Sequence, residues 1–391
     1  MALRIQYIAT AYEPAWRWGG PPRSASALCR ALIAAGVSVS VYTTDYDGAQ
    51  RLDVSPGYRI DRGGVDVTYF HANGGPRIAW AHGLERTLLA NVRRFDVVHI
   101  DSFWQYPGIV GASAARLRGV PYVVTPRGSL IAGAIRTGSP AKRMHIHTLG
   151  KMMVRGAEAL HLTTELERAE SAASSQGART FVAPNPVSLD DLVPDESRQD
   201  TRRRLGIQDE AFVLMYSGRL HARKALPVVL RAMARARREA PRMQLVLAGG
   251  DDGEGARLTA LMKSLQIESA VHMLGHLTRT RLADALQASD AIVLTPYAGE
   301  NFGNACLEGM GMGLPAILST NVGICREAEQ DGAALVVPVV EEAIAHAMCR
   351  LAADPALRRR MAEAGAISVP IRYAPAAVAQ AMIGLYEEIA R

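Results

Sequence analysis

At 391 residues, with 49% hydrophobic and 21% charged residues, the chain is too long for one ordinary core and suits two globular domains. No apolar run approaches the roughly 20 residues that a membrane-spanning helix needs, so none is expected. A net charge of +6 favours anionic partners without separating nucleotide, nucleic acid and acidic lipid, but no block interleaves basic and aromatic residues as a single-strand nucleic-acid channel does.

The chain opens on a strand-length apolar run and lacks the long apolar region of a signal peptide, so Arg4–Ala9 is expected to start the first sheet. Further strands are predicted at Val37–Thr43, Val65–Tyr69, Val97–Ile100, Tyr122–Thr125, Ala159–Leu162 and Thr180–Ala183. Helices are predicted at Ser24–Ala35, Leu84–Arg94, Gly108–Arg118, Lys142–Arg155 and Glu165–Ser175. Pro21 and Pro22 precede the first of these, Ser24 is its candidate cap and Gly36 follows it. Alternation of this kind predicts a parallel sheet covered on both faces.

From Pro184 to Ser197 the chain turns polar and proline-bearing, which predicts a linker. Strands then follow at Phe212–Ser217, Gln244–Ala248, Val271–Leu274, Ala291–Thr295, Ala316–Leu318 and Ala334–Val337. Helices are predicted at Pro227–Arg238, Glu254–Leu265, Arg279–Gln287 and Asn304–Met310, and Pro375–Arg391 has helical periodicity. The fold class is therefore α/β, with two doubly wound Rossmann-like domains. Domain boundaries are placed at 1–190 and 191–372, with a terminal helix at 373–391. Cys29, Cys306, Cys325 and Cys349 have no CxxC spacing, which predicts reduced thiols and a cytoplasmic location.

The chemistry concentrates in Glu300-Asn301-Phe302-Gly303-Asn304-Ala305-Cys306-Leu307-Glu308. A loop over Pro296–Asn301 follows the predicted strand, and a helix starts near Gly303. Amides at a helix start carry partial positive charge, so Gly303 and Asn304 are placed to receive hydroxyl or anionic oxygens. Glu300 on the loop and Glu308 in the helix can each accept from vicinal hydroxyls on different parts of one polyol ligand.

This pattern resembles the Glu-x7-Glu signature of the retaining glycosyltransferases of family 4, the glycosyl transferases of group 1, which have the two-domain GT-B fold. Ser217-Gly218-Arg219-Leu220-His221-Ala222-Arg223-Lys224 resembles that family's phosphate-binding segment, and Gly19-Gly20-Pro21-Pro22-Arg23-Ser24 resembles its glycine-rich loop. The resemblance implies a donor-binding second domain and an acceptor-binding first domain facing it across a cleft. It also implies a terminal helix that crosses back to the first domain.

The donor it implies is a nucleotide-diphosphate sugar, with no cofactor and no metal. Arg219 and Lys224 would neutralise the diphosphate as the anomeric bond breaks, the Arg as a fork and the Lys as a point charge. By resemblance, Glu308 binds the ribose hydroxyls and Glu300 contacts the transferred sugar, assisted by the backbone at Phe302 and Gly303 beside Asn301. Gly19 and Gly20 let the backbone approach a phosphate closely, with Gly218 at the opposite turn. His276 lies where the family places a loop beside the nucleobase, and is equally readable as a structural loop histidine.

Trp104 suits stacking on an acceptor sugar, or else a place in the core. Arg127 stands where many family members have His, which puts any imported histidine role aside because arginine is no base at neutral pH. Ala225 replaces the glycine usual after the lysine, and Gly309 the usual alanine after the second glutamate. Asp251-Asp252 is expected to be a solvated turn, and His145 with His147 lacks a third ligand at metal spacing. The basic, apolar segment Lys142–Arg155 suits either a core-packed helix or contact with an anionic membrane surface at the inner face of the cell membrane.

The expected activity is thus retaining, metal-independent transfer to a saccharide acceptor, lipid-linked and part of surface polysaccharide synthesis. Nucleic acid is not expected as a partner. A nucleotide-sugar 2-epimerase of the same fold, or a non-catalytic nucleotide-sugar-binding protein, is the alternative.

Overall fold

The computed structural model describes residues 2–136, 139–298 and 300–391. Met1, at the head of the first apolar run, and Gly299, inside the predicted loop Pro296–Asn301, lie outside the described residues. The chain divides into two compact units: Met1–Pro186 with Tyr373–Arg391, and Val187–Arg372.

In the first unit eight strands form one sheet: β1 (Arg4–Ala9), β2 (Ser38–Thr44), β3 (Arg59–Arg62), β4 (Val65–Phe70), β5 (Val97–Asp101), β6 (Tyr122–Val124), β7 (Ala159–Leu162) and β8 (Thr180–Val182). Their order is β8-β7-β6-β5-β1-β2-β4-β3, parallel except for β3 at the edge. Central β1 is covered on both faces, so its side chains are buried in succession rather than alternately. Ile8 joins one apolar core with Ile100, while Tyr7 joins another with Val41 and Leu28.

Helix α1 (Gly20–Ala34) packs on the second core beside the terminal helix, Pro375–Ile389. That helix buries Val378, Met382 and Leu385 there, each side chain contributing roughly 1.5–3 kcal/mol against exposure. Helix α1 begins at Gly20, four residues before the expected start, with Pro21 and Pro22 in its first turn. Proline suits that turn because its missing N–H has no helical acceptor. Ser24 therefore is not the cap: it lies inside the helix and donates to the Gly20 carbonyl at 3.0 Å.

Helix α2 (Tyr106–Arg118) covers the other face. The segment expected as one helix over Lys142–Arg155 is two, α3 (Pro140–His147) and α4 (Leu149–Gly156), broken at Thr148, whose φ of −117° and ψ of −97° are non-helical. Ser139 caps α3 by accepting from the Lys142 amide.

The second unit has six parallel strands: β9 (Val213–Ser217), β10 (Gln244–Ala248), β11 (Val271–Gly275), β12 (Ala291–Leu294), β13 (Ala316–Ser319) and β14 (Ala334–Val337). Their order, β11-β10-β9-β12-β13-β14, reverses between β9 and β12. A ligand crevice is expected beyond the carboxyl ends of the strands where order reverses. The segments that leave those two ends begin at Gly218 and Thr295, and the helix Asn304–Gly311 follows the second of them. Three helices frame the site: α5 (Gly255–Leu265), α6 (Arg279–Gln287) and α7 (Asn304–Gly311).

Candidate functional site

The loops beyond β9, β10 and β11 are joined edge to edge. The Gly218 amide donates to Ala248 O at 2.8 Å, Leu220 to Gly250 O at 2.9 Å and Gly249 to Gly275 O at 2.7 Å. This approach requires glycine at 249, where φ is +154° and an added Cβ would stand 1.9 Å from Gly218 O. The joined loops fix the backbone at Arg219, whose guanidinium pairs with Asp252 at 2.7 Å and is 56% exposed. Asp251 and Asp252 are solvent-exposed, as expected of a turn, and Asp251 Oδ1 accepts from the amides of Gly253, Glu254 and Gly255 just before α5, which holds its carboxyl below the usual range.

Beyond Arg219 a short 3-10 turn, Ala222–Lys224, brings Lys224 to Glu300, and the two side chains form an ion pair. Ala225 then adopts a left-handed conformation, φ +55°, at the position where the resemblance expects glycine. Glu300 is fixed from behind: its carbonyl accepts from Gly323 at 2.9 Å, and the carbonyl of buried Phe302 accepts from Ile324 at 3.3 Å. Gly303 opens α7 with φ +106°, and a Cβ there would stand 2.8 Å from Val322.

Asn301 and Asn304 flank that turn, and Glu308 lies in α7 one position before Gly309, whose missing Cβ would meet Ile292 at 2.8 Å. Burial pushes the Cys306 thiol up, and Glu300, Lys224 and Glu308 all act on it electrostatically.

One partner of this group was not legible in the sequence. Arg279, at the first position of α6, donates to Glu308 Oε1 at 2.8 Å and, through a fork, to Asp191 at 2.7 and 2.9 Å. His276, three residues earlier, is exposed.

In the first unit the strand order reverses between β5 and β1, and the loops at those ends touch: Thr10 Oγ1 and Ser102 Oγ share a hydrogen bond at 2.6 Å. Gly19 (φ +83°) and Gly20 form the junction from the first loop into α1, with the Gly19 amide donating to Trp16 O at 3.0 Å. Trp104 lies in the second loop. It packs against the core, edge to face with Phe103 at 5.1 Å, and the Lys142 ammonium sits over its ring at 5.0 Å. The more exposed indole is Trp80, 56% accessible and stacked on Tyr106 at 5.6 Å.

Arg127 adopts φ +46° and directs its guanidinium inward, to both carboxylate oxygens of Asp101 and to Asn185 Oδ1 at 2.9 Å. Burial pushes the Asp101 carboxyl up, but Arg127 and the Tyr7 hydroxyl, donating at 2.7 Å, hold it below the ordinary range. The adjoining loop is held by buried Glu167, which accepts from the Gly128 amide at 2.6 Å and the Thr163 amide at 2.7 Å.

The last turn of α2 and helix α4 enclose a surface cleft of about 530 Å³ lined by Arg116, Thr148, Lys151, Met152, Arg155 and Gly156. Leu117 and Leu149, next to lining residues, are 74% and 44% exposed. Among the described residues no His, Cys, Asp or Glu group is arranged to hold a metal ion, and no helix is long and apolar enough to cross a membrane.

A family model described as Glycosyl transferases group 1 matches residues 197–367. One described as Glycosyl transferase 4-like domain matches residues 19–186. The chain is similar to the D-inositol 3-phosphate glycosyltransferase of Kineococcus radiotolerans, 31% identical over 294 residues that cover 69% of this chain and 66%, just under two thirds, of the relative. It is similar to the protein of the same name from Stackebrandtia nassauensis, 28% identical over 91% of this chain and 84% of the relative.

Among solved structures it is similar to Anabaena HepE in complex with UDP-glucose, with TM-score 0.77 at 17% identity over 99% of this chain and 100% of that one. It is also similar to sucrose-phosphate synthase from Thermosynechococcus elongatus, with TM-score 0.76 at 21% identity over 99% and 98% of the two chains. These structural likenesses establish the fold, GT-B, with two Rossmann-like units. With one matched segment in each unit, the chain belongs to the group 1 family of glycosyl transferases.

Proposed function

We propose that the protein is a retaining, metal-independent transferase that moves a sugar from a nucleotide-diphosphate sugar to a saccharide acceptor. The observation that carries this is the meeting of Lys224 and Glu300 at the reversal in strand order, with Arg219 on the adjoining loop. Glu300, paired with Lys224, is placed to accept hydroxyls of the transferred sugar while Lys224 and Arg219 meet the diphosphate. Charge accumulating on the leaving phosphate oxygen is then stabilised by cations already in place, an effect for which losing one donor costs ~10²–10³ in turnover. Retention follows the family habit of front-face attack, in which the departing phosphate oxygen assists the incoming hydroxyl.

In this proposal residues 187–372 bind the donor: Glu308 takes the ribose, Gly218, Asn301, Phe302, Gly303 and Asn304 form the floor, and His276 borders the base. The first unit binds the acceptor, and Gly19 and Gly20 let its backbone approach a phosphate closely. Trp104 borders the acceptor, and Arg127 shapes its loop through Asp101. The acceptor is lipid-linked and belongs to surface polysaccharide synthesis in the cytoplasm, at the inner face of the membrane. The cleft of Arg116, Lys151 and Arg155 beside exposed Leu117 and Leu149 supports peripheral contact with anionic lipid. The names of the curated relatives favour a second reading, a phosphorylated cyclitol as acceptor.

A thermal-shift screen against UDP, GDP, ADP, dTDP and their sugar conjugates, with chelator present, tests the donor. One base should raise Tm, a ligand at ~100 times its Kd stabilising by about 2.7 kcal/mol. Lys224→Ala should abolish that shift and turnover together. No shift with folded protein removes the donor assignment. Turnover of the binding donor with D-inositol 3-phosphate, against a lipid extract, then separates the two acceptor readings, and isomerised donor without acceptor would indicate the epimerase.

A further inference from the structure

We infer that Arg279 is a positioning residue that makes the site selective for ribose, by fixing the Glu308 carboxylate against the linker residue Asp191. The inference rests on the proposed role of Glu308 in holding the nucleotide's ribose. Glu308 is 13% exposed, so its orientation is set by neighbours rather than by water, and Arg279 is 17% exposed and rigidly forked. Both oxygens of Asp191 and one of Glu308 are taken by the three nitrogens of this single guanidinium. A planar fork bound on two edges has no freedom to rotate, which is the property lysine lacks.

A carboxylate has about four acceptor positions and Arg279 takes one on Glu308 Oε1, so this pairing does not by itself exclude a vicinal diol. Arg279 removes the rotational freedom that would waste diol-binding capacity. Asp191 serves as the far anchor. It ties the start of the second unit's chain to α6, so the orientation of Glu308 depends on a residue 88 positions away from Arg279.

The test uses the full chain and calorimetry with UDP, GDP and ADP, each beside its 2′-deoxy counterpart. For whichever base binds, wild type should prefer the ribonucleotide by about tenfold or more, the range of a hydrogen bond to a charged group. Arg279→Gln should reduce the preference to under about threefold by weakening the ribonucleotide severalfold more than the deoxynucleotide, which offers Glu308 only its 3′ hydroxyl. General damage to the fold would weaken both together. Arg279→Lys should give an intermediate preference, and Asp191→Asn a partial loss even if Arg279→Gln proves unfolded.

A preference undiminished in folded Arg279→Gln overturns the positioning role while leaving Glu308 as the ribose ligand. Equal wild-type affinity for ribo- and deoxynucleotide overturns the ribose assignment itself, and no binding of any of the three, nor of dTDP, overturns the donor site. The two failures are therefore distinguishable.

Discussion

His99 and Tyr386, 287 positions apart in the chain, share a buried hydrogen bond between imidazole Nδ1 and the phenol. The direction of the whole relay can be read from its far end. The Ala183 carbonyl only accepts, so His161 Nε2 carries a proton and donates at 2.9 Å, leaving Nδ1 as an acceptor for the Thr125 hydroxyl at 2.9 Å. Thr125 in turn accepts from His99 Nε2 at 2.7 Å, so His99 Nδ1 accepts from Tyr386. Every member is satisfied only while both histidines are neutral.

Stability should therefore fall with acid. Burial lowers His99 to about 3 and His161 to about 4, whereas the unfolded chain binds these protons near pH 6.5. The contribution is fully present above pH 6.5 and is lost as pH falls toward 4, by up to ~1.4 kcal/mol per pH unit for each histidine. Urea unfolding at pH 8, 6 and 5 would show it, and a flat profile would count against the relay. Tyr386→Phe should cost about 1–3 kcal/mol at pH 8 by leaving His99 Nδ1 without a donor.

The Arg127–Asp101 pair makes a different prediction. Arg127→Ala leaves a buried carboxylate without its cation, and should destabilise by about 3–5 kcal/mol. Combining Arg127→Gln with Asp101→Asn should recover much of that loss, because the charge is removed with its partner. If the double variant is as unstable as the sum of the singles, the two side chains are not coupled. The conformation at 127 is left-handed, φ +46°, a region that few non-glycine residues adopt.

Gly249→Ala should separate the loops that carry Arg219 and Asp251. Its Cβ meets backbone, Gly218 C at 2.5 Å as well as O, so no side-chain rotation relieves the contact. We expect a loss of about 3 kcal/mol from crowding and left-handed strain together. Nucleotide binding should weaken with it, read as a lost thermal shift, and a variant that binds nucleotide normally would show that the loop junction is dispensable.

The sequence and the structure part company where periodic contrast is weak. Strands such as Ala291–Leu294 are legible because a parallel sheet buried on both faces gives a continuous apolar run between polar turns. The edge strand Arg59–Arg62 is not, since only part of it is covered and its charges suit a loop equally. Helices at Glu341–Ala353 and Pro355–Arg372 escaped because alanine populates every face, and the short helix Arg198–Arg204 because it is nearly all polar. Of the candidate site, Glu300, Glu308 and Lys224 stand out through their motif spacing, whereas Arg279 has no local signature: its partners come from Asp191 and from α7.

The division of the chain has a bearing on its synthesis. Residues 187–372 form one unbroken stretch, while the unit that begins the chain is completed only by Tyr373–Arg391. On the ribosome the later-made unit has all its parts first. The earlier one must wait with His99 lacking its phenol donor, and with Ala25, Leu28 and Leu32 lacking the terminal helix that covers them. Vectorial order and completion order are thus reversed in this protein, and chains that stop short of residue 373 would release an open apolar face for chaperones to hold.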